Sequence, residues 1–166
     1  MKRRLMFAVG IAALTTVPAA FAATDTGTTD LTVTIGPEAS MSIPTTTALT
    51  SAATNFANFT GTTSFTYKIR TTTSGGTGSI VVSVANFQAN GPAVADLSYT
   101  CTAASGTACA SSTTASNSNT GVVTFGADAH SADTGDSGST AWVLVDKPSV
   151  KTGNYDAVAT YTISAT

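Results

Sequence analysis

The sequence predicts an all-β fold: an antiparallel β-sandwich, immunoglobulin-like or jelly-roll-like, in one domain. Three observations predict it. Short stretches alternate apolar and polar residues with a period of two, and Gly, Pro or Asn signals punctuate them. Thr, stiff at χ1 and suited to strand faces, fills the polar positions together with Ser. Charged residues are only 10% of the chain, against about 25% in an average protein, and no stretch after the start sustains a 3.6-residue period.

The start is of a different kind. Lys2-Arg3-Arg4 precede an apolar run from Leu5 to Leu14, Pro18 breaks it, and Ala20-Phe21-Ala22 offers small residues at a cleavage point. This is the pattern of a secretion signal over 1–22, with a core too short to span a bilayer. It implies Sec-type export to the cell surface or medium. Residues 23–36 then form a flexible lead and an N-terminal strand in which Leu31, Val33 and Ile35 alternate with Thr32 and Thr34. Residues 37–166 make up the sandwich.

Within it, Gly36-Pro37 bends the chain and alternation resumes over Ala39–Ile43 until Pro44. Thr45–Thr54 reads as a loop and Asn55–Phe59 as a short aromatic strand or turn. Phe65, Tyr67 and Ile69 share one face of the next strand, which ends before the turn Ser74–Gly78. Ile80–Val84 is apolar on both faces, as a central strand would be. Leu97–Thr102 and Val122–Phe125 are further strands. Ala110–Gly121, rich in Ser, Thr, Ala and Asn, reads as an exposed loop, and so does the acidic stretch Ala127–Ser139. Ala141–Val145 carries the only Trp, Trp142. Tyr155, Ala157, Ala159, Tyr161 and Ile163 share one face of a long final strand.

Two cysteines in an exported chain, Cys101 and Cys109, predict a disulfide that closes a small loop and contributes about 2–3 kcal/mol. Two thiols and one distant His make a poor metal site, and the spacing is not the Cys-x-x-Cys of a redox pair. Once the signal is removed, Lys68, Arg70, Lys147 and Lys151 face nine acids. A net negative chain lacks the basic face that nucleic acid or an anionic membrane requires. No later segment is apolar enough to insert into a membrane.

Both ends of the mature chain resemble subunits of bacterial chaperone–usher pili, in particular the spore coat protein U-like group. Leu31-Thr-Val-Thr-Ile35 after a flexible lead is similar to the N-terminal extension such subunits donate to a neighbour. Gly153-Asn-Tyr155-Asp-Ala-Val158-Ala-Thr-Tyr161-Thr-Ile163 is similar to that group's closing Gly-x-Tyr strand. Asn55-Phe-Ala-Asn-Phe-Thr-Gly61 loosely resembles its early Phe-Gly turn. The chain departs from the group at Met41, where a cysteine is usual, and at Ala165, where many members have an aromatic residue. The resemblance implies a structural subunit of an extracellular filament, pilus or surface layer. It would self-associate by strand donation, with a periplasmic chaperone as a further partner. Leu31, Val33 and Ile35 would be the donor face, and Tyr155, Ala157, Ala159, Tyr161 and Ile163 the acceptor strand. The alternative for Asp30–Ile35 is pairing within its own chain as an edge strand.

No enzyme chemistry and no cofactor are expected. There is no Gly-x-Ser-x-Gly elbow, the single His lies in a loop, and the only Glu, Glu38, is far in sequence from the acidic stretch. Asp128, His130, Asp133 and Asp136 are the one cluster that suggests a cation, but the spacing is not that of an EF-hand. A surface adhesin or carbohydrate-binding module is the rival reading. Its aromatic candidates are Phe56, Phe59, Tyr99 and Trp142.

Overall fold

Strands that are apolar on one face need a second layer to cover that face. The computed structural model, which describes residues 25–51 and 55–166, answers this with two antiparallel sheets packed as a sandwich. The segment 1–22, which the sequence marks as a secretion signal, lies outside the described residues. The chain divides into two units, residues up to Val33 and Thr34–Thr166.

In the first unit, residues 25–33 carry no regular secondary structure and are exposed. The strand expected over Leu31–Ile35 does not form. An isolated extended segment has no partner for its backbone N–H and C=O groups, and alternation alone does not hold a strand. Leu31, Val33 and Ile35 are 93%, 78% and 62% exposed.

The second unit contains the sandwich. One sheet consists of β1 (Glu38–Ser42), β2 (Thr50–Ser51), β3 (Phe59–Arg70), β5 (Leu97–Ala103), β7 (Thr113–Thr114) and β9 (Asp136–Leu144). Its order is β1-β3-β9-β5-β7, with β2 also paired to β3. The other sheet is ordered β10-β4-β8-β6, from β10 (Ala159–Ala165), β4 (Gly78–Val84), β8 (Thr120–Phe125) and β6 (Thr107–Ala108).

Phe65, Tyr67 and Ile69 of β3, Leu97 and Tyr99 of β5, and Trp142 and Leu144 of β9 form one wall of the core. Ile80, Val82 and Val84 of β4 and Val122, Val123 and Phe125 of β8 form the other. β4 is central, as its two-sided apolar sequence predicts, and lies between β10 and β8. Val122 and Val123 are adjacent yet both buried. The β4–β8 register slips between Ile80 and Val81, and this bulge turns two consecutive side chains inward.

Several boundaries differ from expectation. Thr45–Thr54, read as a loop, contains β2, which pairs with Phe59 and Thr60 of β3. Ala110–Gly121 is not simply an exposed loop. It contains β7, buries Ala115, and crosses from one sheet to the other through bonds from Ala115 N to Leu97 O and from Val84 N to Ser116 O. Ser and Thr hide this because their burial comes from tertiary pairing and not from an apolar pattern. β9 begins at Asp136, inside the stretch read as an acidic loop, because Asp136 pairs with Tyr67. The final strand begins only at Ala159. Tyr155 and Ala157 precede it in a loop where Tyr155 Oη donates to Lys151 O at 2.9 Å and Gln88 bonds Asp156.

Cys101 and Cys109 form the expected disulfide, with Cα atoms 5.3 Å apart. Cys101 lies on β5 and Cys109 follows β6, so the bond ties one sheet to the other. The turn between these strands is anchored by Tyr67, whose hydroxyl donates to Ser105 O at 2.7 Å and accepts from Ser105 N at 3.0 Å. Gly106 closes the turn at φ +80°, where a Cβ would stand 2.6 Å from the Phe125 ring.

Candidate functional site

The end strands of a sheet leave a row of backbone groups unpaired. β1 ends one sheet and β10 ends the other, and the two come within 8 Å of each other, Cα to Cα. One flank of the sandwich therefore holds two open edges side by side. The inward residues there are Ala39 and Met41 on β1 and Tyr161, Ile163 and Ala165 on β10. All are only half-buried, while Ile69, Ile80 and Val82 on the next strands inward are fully covered. The inward apolar residues of these two edge strands are thus covered less than those one strand further in.

Tyr161 is the largest of these residues. The ring packs 5.8 Å from Phe65, centroid to centroid, and the hydroxyl bonds Thr140, a fully buried residue of β9. Burial raises the Tyr161 hydroxyl above the ordinary phenol pKa. The bonds to Thr140 and Thr63 act against the shift, and Tyr99 adds to it. The group stays neutral, and its bond to Thr140 is structural. Deeper in the core, Trp142 Nε1 donates to Thr63 Oγ1 at 2.9 Å, and Thr63 bonds Thr47 at 2.7 Å.

At the foot of β1 the Arg70 side chain holds the chain twice. Its Nε donates to Gly36 O at 3.0 Å and its Nη2 to Glu38 Oε2 at 2.9 Å. Pro37 between them has no N–H to offer a ladder. Ile35, directly before this clamp, is exposed. The clamp was not legible as such. The alternation of β3 marks Arg70 only as a strand end, and Glu38 only as the first residue after Pro37.

Of the five residues expected on an acceptor strand, Tyr161 and Ile163 lie on the open edge with their side chains half-buried. Ala159 is on β10 but exposed, and Tyr155 and Ala157 are off the strand. The acidic residues are not gathered. Asp136 accepts from Ala132 N at 3.2 Å, and His130 Nδ1 lies 3.0 Å from Asp128 O. Among the described residues, no three His, Cys, Asp or Glu side chains are close enough to hold a metal ion. Of the four aromatic candidates, Tyr99 and Trp142 are core, 5.1 Å apart between ring centroids. Phe59 is half-buried, and only Phe56, at φ +56° in the turn before β3, is largely exposed.

No family model, no curated protein and no solved structure matches this chain.

Proposed function

We propose that this protein is a structural subunit of an extracellular filament, pilus or surface layer, assembled by donation of the segment Asp30–Ile35 to the β1–β10 flank of a second copy. The observation that carries this reading is a complementarity within the chain. One segment has three alternating apolar residues exposed and no strand partner. One flank has two unpaired edges and a half-covered apolar lining. A donated strand satisfies the free backbone groups of the flank and covers its lining at once, which is the logic of β-augmentation. Donor and acceptor are different surfaces, so the contact is heterologous and propagates from copy to copy. Export by the signal-like segment 1–22, and escort of the open flank by a periplasmic chaperone, belong to the same proposal.

Electron microscopy and size-exclusion chromatography of the full chain, beside a variant lacking residues 23–36, test it. The expected result is filaments or an oligomer ladder from the full chain and a folded monomer from the truncated one. A synthetic peptide of residues 28–36 is expected to raise the melting temperature of the truncated protein. Filaments from the truncated variant, or a peptide without effect, overturn the reading.

A further inference from the structure

The outer face of the larger sheet has a second feature, independent of the flank. Where β1 ends, Ile43 and Pro44 leave the sheet and wall a shallow trough of about 570 Å³. Its floor consists of two cross-strand rows. Ser42, Thr66 and Ser137 form one, and Ser64, Ser139 and Thr102 the other. Neighbouring residues in a row stand about 4.8 Å apart and the rows about 6.8 Å apart along the strands, a patch the breadth of a sugar ring. Thr102 and Ser139 bond each other at 2.7 Å. Among the described residues, the other four hydroxyls have no protein partner.

We infer that this trough binds a neutral glycan. Every polar side chain that lines it is a hydroxyl, and no cation or carboxylate is present to select an ion. A hydroxyl both donates and accepts, so a cluster of them matches a ligand made of hydroxyls. β9 is paired along both edges, with β3 and β5, so main-chain augmentation is open here only along Gly61–Phe65 of β3, between the ends of β2 and β1. Ile43, 37% exposed, and Pro44 supply an apolar flank for the C–H face of a sugar ring. Apolar walls with a few convergent polar groups are the usual composition of such sites.

Calorimetric titration of the purified protein with maltohexaose, cellohexaose and chitohexaose, with hyaluronan as an anionic control, tests the inference. Saturable binding of at least one neutral oligosaccharide is expected. Thr102→Val and Ser139→Ala should each weaken it by about tenfold, the scale of one lost hydrogen bond, with the melting temperature unchanged. Thr162→Val, on the outer face of the other sheet, should leave it intact. No heat with any neutral oligosaccharide at about 10 mM, a range that covers even weak binding, overturns the inference. So does a preference for hyaluronan, or affinity that survives both trough variants.

Discussion

Tyr67 is apolar along its ring and polar at its tip, and the fold uses both ends. The ring lies in the core 5.5 Å from Phe125, and the hydroxyl meets both backbone groups of Ser105. Tyr67→Phe keeps the packing and leaves a partly buried N–H and C=O in the turn without that partner. A loss of about 1–3 kcal/mol is expected from the urea midpoint. Tyr99 and Tyr161 set a pH dependence. Burial raises both above their ordinary value of 10.0, only partly offset by bonds to Thr120 and to Thr140 and Thr63. The unfolded chain therefore loses these protons first. The contribution is complete below pH 10 and disappears as pH climbs through the folded values. Thermal midpoints should fall above pH 10, and less steeply once Tyr161 is replaced by Phe.

Strands carry the next scale. β4 was legible because a strand apolar on both faces belongs between two neighbours. The inward face of β3 was legible because Phe65, Tyr67 and Ile69 keep strict alternation. β7, the start of β9 and the burial of Ala115 were not, because Ser, Thr and Gly carry no apolar pattern and their strands exist only through partners distant in sequence. The acceptor flank was half legible. Tyr161 and Ile163 announce β10, but its neighbour across the sandwich, β1, follows from topology alone. The disulfide was predicted, while its role as a tie between the two sheets required the crossover at Ser105–Gly106. Replacing both Cys101 and Cys109 with Ser frees β5 from the end of β6. The entropy of a short closed loop puts the cost at about 2–3 kcal/mol, measurable as a lowered urea midpoint.

For the whole molecule, the alternation of the arm makes a sharper test than its deletion. Period two sends Leu31, Val33 and Ile35 to one side of an extended segment and Thr32 and Thr34 to the other. If the segment becomes a strand in another copy's flank, the first set faces Met41, Tyr161 and Ile163 and the second faces solvent. Val33→Asp would then bury a carboxylate without a partner, which is costly against apolar side chains. Thr32→Asp would leave its charge in water. The two variants differ by one position and carry the same added charge, and both change a residue that is exposed in the single chain. Assembly should be lost in Val33→Asp and kept in Thr32→Asp, with both monomers melting like the parent. Equal assembly by both variants would mean that the arm is not read as a strand. Loss in both would mean that charge alone, and not the inward face, controls the contact.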